Sequence, residues 1–380
     1  MSWQEVSTVQ LRTEFVLLAQ QEGANVRQLC RRFNISPSTA YKWLSRFKAS
    51  GTEGLNDQSR RPKASPKRCS EEVEKQILTA SQEYAAWGAR KLKRVLEDKG
   101  LVMPSVSTVH AVLQRHSRVD PKAAGIKAFI RFEHEAPNDL WQMDFKGHFG
   151  LSQGRCHPLT ILDDHSRFSI CIAACANEQR ETVQGHLIRV FRRYGLPLRM
   201  TMDNGSPWGD EPGVYSALEV WLMGQGIKVG HSRPYHPQTQ GKLERFHRSL
   251  KSEVLQGRHF TDLNDAQQAF DIWRDLYNQT RPHQALDMQV PATRYSSSPR
   301  EYQEQQMAPE YADADVVRKV QAKGEINWRN REYSIGKAFH GLSVAIRETT
   351  EDGIHDVYWS SHRIARIDLN LQIVTTGKRI

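Results

Sequence analysis

This 380-residue chain has no long apolar run; nowhere does it approach the roughly 20 apolar residues that cross a bilayer. Its opening string, MSWQEVSTVQ, lacks the basic-then-apolar pattern of a secretory leader, so a cytoplasmic protein without a membrane partner is expected. Cysteine is scarce. The five thiols, Cys30, Cys69, Cys156, Cys171 and Cys175, are odd in number and scattered, which argues for reduced thiols and against a disulfide framework. Cys171 and Cys175 lie in the apolar string SICIAAC, where core packing is expected rather than metal ligation. No GxxxxGKS or GxxxxGKT loop occurs, so no nucleotide cofactor is implied. With 38% hydrophobic and 25% charged residues the chain is not of the disordered class, and its length suits two to four domains.

Acidic residues run short at the front. Residues 1–136 hold 23 Lys and Arg against 14 Asp and Glu, which accounts for nearly all of the net charge of +10. A basic front ahead of a nearly neutral body suits a polyanion, most often nucleic acid. Between Ala24 and Lys48 the pattern predicts helix, tight turn, helix. Ser36 is an N-cap hydroxyl and Pro37 takes the first helical position. Ala40, Trp43, Leu44 and Phe47 then share one buried face at helical spacing. Ser38, Thr39, Lys42 and Arg46 occupy the other face, where they can reach bases and phosphates in a major groove. The same pattern also suits a small helical bundle with a solvated basic face.

A second helical unit is expected over Ser70–His116, with Arg90, Lys91, Lys93 and Arg94 giving its middle helix a basic surface. Between the two units runs NDQSRRPKASPKR. Its prolines favour an extended arm, and Arg60, Arg61 and Lys63 suit the narrow minor groove of A·T-rich DNA. A solvated linker is the alternative.

From Leu140 onward strands alternate with helices. WQMDFKGHF is strand-like around Asp144, and PLTILDD and FSICIAAC are two more strands joined by a polar turn. A helix follows from about Glu178 to Tyr194, then the short strand LRMTMDN ending at Asp203, a helix over Val214–Met223, and the strand IKVGHS. A long helix begins near Gly241. This order predicts a mixed sheet with helices on both faces. On the last helix Leu243, Phe246, Leu250 and Val254 share the buried side, while Glu244, Arg248 and Lys251 cluster on the adjacent flank. Asp144, Asp203 and Glu244 can then converge. Carboxylate ligands without Cys or His suit Mg²⁺ or Mn²⁺, and two such ions about 3.5–4 Å apart serve in-line phosphoryl transfer. Asp163 and Asp164 are rivals, read as hairpin-turn residues with Asp164 accepting backbone N–H bonds. His236 reads as a structural loop histidine, with a catalytic role as the alternative.

The strings WQMDF, LTILDDHSRF, TMDNGSPW, RPYHPQTQGKLERFHRSLK and YNQTRPHQAL with VPATRY resemble, in order, the retroviral-integrase superfamily of DDE transposases. The resemblance covers roughly 136–296 and implies an RNase H-like core in which Asp144, Asp203 and Glu244 are catalytic, metal-binding carboxylates. It also implies that Lys251 holds DNA phosphate and that Asn204 and Gly205 complete the second motif. The front is similar to the paired helix-turn-helix region of bacterial insertion-sequence transposases. Two departures stand out. The gap from Asp203 to Glu244 holds 40 residues, more than is usual in the family. The front also lacks the His/His/Cys/Cys zinc set of retroviral integrases.

The tail from about Val316 is strand-rich and predicts a small β-barrel. The expected plan is helix-turn-helix over 1–56, a basic arm over 57–69, a second such unit over 70–118 and a linker over 119–135. The core follows over 136–296, then a linker over 297–315 and the barrel over 316–380. The expected partner is double-stranded DNA, bound by a dimer or tetramer. A nuclease of the RNase H type and a DNA-binding regulator on an inactive scaffold are the alternatives; two helix-turn-helix units argue against the first, and the intact carboxylates against the second.

Overall fold

Serine hydroxyls start five of the helices in the computed structural model, at Ser7, Ser36, Ser70, Ser105 and Ser216, each accepting a backbone N–H of the first turn. The structure describes residues 7–58, 68–119, 133–203, Gly205, Trp208, 214–231, 241–306 and 308–376. Packing divides the chain into two units, Met1–Arg68 and Cys69–Ile380.

In the first unit α1 (Thr8–Ala19), α2 (Val26–Arg32) and α3 (Pro37–Ser50) close on Phe15, Val16, Cys30, Ala40, Trp43 and Leu55. Asn34, at φ 51°, makes the turn between α2 and α3. The expected helix-turn-helix is present, with α1 as an additional helix in front of it. Gly54 follows α3 where a Cβ would lie 2.3 Å from the Arg46 carbonyl oxygen, so only glycine lets the chain turn back there.

The second unit begins with α4 (Glu71–Glu83), α5 (Ala89–Asp98) and α6 (Val106–Arg115), packed around Ile77, Leu92, Val95, Val109 and Leu113. Buried Glu74 is paired with Arg115, joining α4 to α6.

The central sheet sets side by side, in this order, β4 (Ser169–Cys175), β3 (Arg155–Asp163), β1 (Leu140–Phe145), β5 (Arg199–Met202) and β6 (Lys228–His231). β1 lies antiparallel to β3, and β4 lies antiparallel to β3 as well. The short β2 (Phe149–Gly150) pairs with the start of β3. β5 and β6 run parallel to β1. Alternation along β1 sends Trp141, Met143 and Phe145 towards α7 (Arg180–Tyr194) and α8 (Ala217–Gly224), whose Val183, Leu187, Phe191, Leu218 and Leu222 complete that layer. The opposite face receives α9 (Gly241–Leu250) and α10 (Leu263–Gln279). There Leu243, Phe246 and Leu250 pack with Val254, Phe270, Trp273 and Tyr277 on Leu162 and Ile172, as the helical spacing predicts. Gln142 and Asp144 therefore point to the α9 side. Cys171 and Cys175 are buried free thiols in the other layer, in keeping with packing.

α8 starts three residues later than its apolar pattern suggests, because Ser216 and Glu219 form a capping box there. Leu276 of α10 packs against the α4–α6 cluster, seating that helical unit on the core. Residues 298–306 also lie on the core: Ser298 N–H donates to Tyr194 O at 2.8 Å and Leu196 N–H to Arg300 O at 2.7 Å.

The expected small β-barrel is not what the described tail residues form. β7 (Val316–Lys319), β10 (Ser343–Glu348), β11 (Ile354–Trp359), β12 (His362–Asp368) and β13 (Ile373–Thr376) make an open antiparallel sheet with β13 and β7 at its edges. β8 (Glu325–Trp328) and β9 (Arg331–Ser334) form a separate hairpin. The apolar face is covered without closure, since Val220 and Met223 of α8 pack into the same cluster as Val344, Ile346, Val357 and Ile364.

Asp163 ends β3 and is fully buried. Its carboxylate accepts from Asn138 N at 2.8 Å, Ser166 N at 2.8 Å and Ser166 Oγ at 2.5 Å. Asp163→Ala leaves these donors without an acceptor in the interior, which predicts a loss of about 3 kcal/mol in urea unfolding. A loss below about 0.5 kcal/mol would show that this turn is not held by the carboxylate.

Candidate active site

Asp144 and Asp203 meet because of strand register. Gln142 of β1 stands beside Thr201 of β5, so two residues further on Asp144 stands beside Asp203, just past the end of β5. Neighbouring strands run about 4.8 Å apart, and the two positions share a face. Both lie at the carboxyl ends of parallel strands, where open α/β sheets bind their ligands. Burial first, and then the Asp203 carboxylate, push the Asp144 carboxyl up to about 7. Glu178 adds to the rise; the Phe145 backbone N–H and Lys146 oppose it.

Glu244 is on the exposed flank of α9 with Arg248, and Lys251 is exposed in the wider turn Lys251–Leu255 that follows. Two contacts anchor α9 near the aspartates. Lys242 is ion-paired with buried Asp164, which also accepts from His134 N at 3.0 Å and Gln142 Nε2 at 2.8 Å. His247, one turn after Glu244, places Nε2 2.7 Å from Thr160 Oγ1, and that hydroxyl donates to the Asp144 carbonyl at 2.9 Å. The hydroxyl hydrogen is thereby committed, so His247 Nε2 donates. Burial, and then Lys146, lower the His247 ring to about 4, which keeps it neutral in that relay. Asp163 and Asp164 are thus turn and anchor residues, and Asp164 accepts a backbone N–H as expected. Among the described residues no three His, Cys, Asp or Glu side chains are gathered closely enough to hold a metal ion. The structure brings Asp144 and Asp203 together and anchors the helix of Glu244 beside them, without gathering all three.

The donor chemistry of the aspartate pair fits a hard divalent cation. Both groups are carboxylates, and the part of the Asp144 rise that comes from Asp203 is relieved by positive charge between them.

The candidate DNA-contact residues are more dispersed. Ser38 and Thr39 hydroxyls each lie 2.9 Å from Ser36 Oγ at the start of α3. Lys42 is exposed, and the Lys42 and Arg46 cations both lie 5.0 Å from the centre of the Trp43 ring. Arg90 is exposed on α5. Lys91 is half-buried, lowered to about 8 by burial and then by Arg281, with Glu253 acting in the other direction. Arg60, Arg61, Lys63, Asn204 and His236 lie outside the described residues. Sequence reasoning passed over His247, His231, Glu219 and Glu178. A histidine three residues after the glutamate in ERFH was one available signal, and the Ser216-to-Glu219 capping spacing was another.

Family models match along the second unit. Two integrase core domain models match residues 134–237 and 225–291, and the C-terminal domain of IS481 family transposases matches 315–375. The chain is a DDE transposase of the integrase superfamily. Ahead of the core, this transposase matches a helix-turn-helix domain over 11–63 and a homeodomain-like domain over 39–113. It is therefore a polynucleotidyl transferase-type enzyme with helix-turn-helix DNA-binding domains and an integrase core. It is 26% identical over 243 residues to the insertion element IS407 uncharacterized 31.7 kDa protein of Burkholderia multivorans, covering 60% of this chain and 82% of that one. It is 24% identical over 274 residues to the insertion element IS476 uncharacterized 39.2 kDa protein of Xanthomonas euvesicatoria, covering 70% and 76%. Among solved structures it is similar to the HTLV-2 integrase catalytic core in complex with magnesium, at 16% identity and TM-score 0.33, covering 42% of this chain and 97% of that one. No described helix of the transposase is long and apolar enough to cross a membrane.

The raised Asp144 gives a pH-dependent stability. An unfolded Asp ionises near 3.9. Between that pH and about 7 the folded protein holds a proton that the unfolded chain has released, so the contribution of Asp144 is full below about 4 and is lost as pH rises to 7. Metal-free Asp144→Asn should therefore melt higher than wild type at pH 8, and the gap should close by pH 4. A gap that is the same at both pH values would contradict the raised carboxyl.

Proposed function

We propose that this transposase recognises the terminal inverted repeats of a mobile element, cuts DNA at its ends by hydrolysis and joins them to target DNA by transesterification. The observation that carries the reading is Asp144 beside Asp203 at the ends of adjacent parallel strands. Asp144, Asp203 and Glu244 hold Mg²⁺ or Mn²⁺, two ions in all. Bound metal supplies activation of the attacking oxygen and stabilisation of the leaving oxygen. Water attacks the phosphodiester at the element end and frees a 3′-hydroxyl; that hydroxyl then attacks a target phosphodiester. Each step breaks one P–O bond as it makes another, so no nucleotide is consumed.

The chain's own residues orient these steps. Arg248 and Lys251, exposed beside Glu244, hold DNA phosphates. His247 and Lys242 keep α9, the helix that carries Glu244, against the sheet beside the aspartate pair. Residues 1–56 and 70–118 read the element end, with Ser38, Thr39, Lys42, Arg46, Arg90 and Lys91 among the contacts. Arg60, Arg61 and Lys63 of the 57–69 arm enter a minor groove. Residues 136–296 carry the chemistry, and the open sheet after Val316 supports it. The protein works in the cytoplasm as a dimer or tetramer, because two element ends must meet.

Two results test this. With a labelled element end and Mn²⁺, Asp144→Asn, Asp203→Asn and Glu244→Gln should each abolish nicking and joining while end binding persists. Near wild-type joining by Asp203→Asn would sink the three-carboxylate mechanism, and nicking without joining by wild type would favour a nuclease. Lys251→Ala should reduce joining about tenfold, the worth of one charged hydrogen bond, with little change in melting temperature. A large drop in melting temperature with normal joining would show instead that Lys251 serves the fold.

A further inference from the structure

The parallel ladder between β5 and β6 ends where Met202 faces His231, one residue before Asp203. A side-chain contact follows at that point. His231 Nδ1 lies 3.0 Å from the Asp203 carbonyl oxygen, and His231 Nε2 lies 2.7 Å from Oε1 of Glu219. A carbonyl oxygen can only accept, so Nδ1 carries hydrogen and donates to Asp203. Glu219 is 1% exposed, and its other oxygen accepts from Ser216 N at 2.6 Å at the start of α8. The carboxylate is thus held by a helix start and orients the imidazole through a proton shared with Nε2, so the pair carries one proton more than a neutral imidazole beside a carboxylate. Capping α8 alone would not require a buried carboxylate, since an exposed glutamate or glutamine completes the same box.

We propose that His231, oriented by Glu219, is a positioning residue that holds Asp203 in its metal-binding pose by tethering the Asp203 carbonyl. The proposal rests on Asp203 being a metal ligand. The tether acts where the sheet no longer holds the strand, and it couples α8 to the ligand through two hydrogen bonds. Partners that orient metal ligands in this way are worth roughly tenfold to a hundredfold in metal affinity.

The test uses the full chain, free Mn²⁺ measured by electron paramagnetic resonance, and end binding as a second readout. His231→Asn keeps a donor close to the Nδ1 position, whereas His231→Gln keeps a polar group near Nε2 and loses the bond to Asp203. His231→Asn should bind Mn²⁺ within about threefold of wild type, and His231→Gln should bind about tenfold or more weakly, both with unchanged end binding. Glu219→Gln should stay near wild type, because glutamine preserves the cap and can still orient the ring. Equal Mn²⁺ affinities for the two His231 variants would overturn the tether, since a purely structural contact to Glu219 is served better by Gln than by Asn. Asp203→Asn separates the two claims. If it binds Mn²⁺ as wild type does, the assignment of Asp203 itself is wrong; if it loses Mn²⁺ while His231→Gln does not, the tether alone is wrong.

Discussion

Two carboxylates forced together at the ends of β1 and β5 are the constraint on which the rest of the core depends. Burial of Asp144, and then the like charge of Asp203 beside it, resist full ionisation and lift the Asp144 carboxyl to about 7. Backbone geometry imposes the approach: the β1–β5 register continues for two residues and the strand spacing does the rest. Such a pair is a poor stability device, and its oxygen donors are of the kind that suit a hard cation. The surrounding structure accordingly immobilises it and leaves Asp203 exposed.

Immobilisation comes from several directions. Thr160 and His247 tie the Asp144 backbone to α9, and Lys242 ties the start of α9 to Asp164. On the other side His231 and Glu219 tie the Asp203 carbonyl to α8. Each tie uses a side chain that is buried or half-buried, where hydrogen bonds hold geometry best because water does not compete. α8 also carries Val220 and Met223 into the tail sheet, so the element that steadies Asp203 is the one on which that sheet is seated. The α4–α6 unit is seated on α10 through Leu276 in a comparable way.

The periodic parts of this architecture were legible in the residues. The apolar spacing of Leu243, Phe246 and Leu250 marked the buried side of α9, and Ser36 with Pro37 marked the start of α3. Runs such as SICIAAC read correctly as buried strand, and Asp164 was recognised as a turn residue that accepts backbone hydrogen. Contacts between elements far apart in sequence were not legible. Nothing local to His231 indicates Glu219 behind it, and nothing local to Lys91 indicates Arg281 and Glu253 beside it. The tail misled for a related reason. Strand alternation shows that one face must be covered but not by what, and here α8 covers part of it while the sheet stays open.

The most direct measurement is proton release when Mg²⁺ or Mn²⁺ binds, taken from calorimetry of the whole chain in buffers of different ionisation enthalpy. With the Asp144 carboxyl lifted to about 7, most copies carry a proton at pH 6 and must lose it to bind a cation. The account predicts release of close to one proton per chain at pH 6, falling towards zero above pH 8, and little release at either pH in Asp144→Asn. Binding without proton release at pH 6, or release that persists in Asp144→Asn, would contradict a cation site built on this pair.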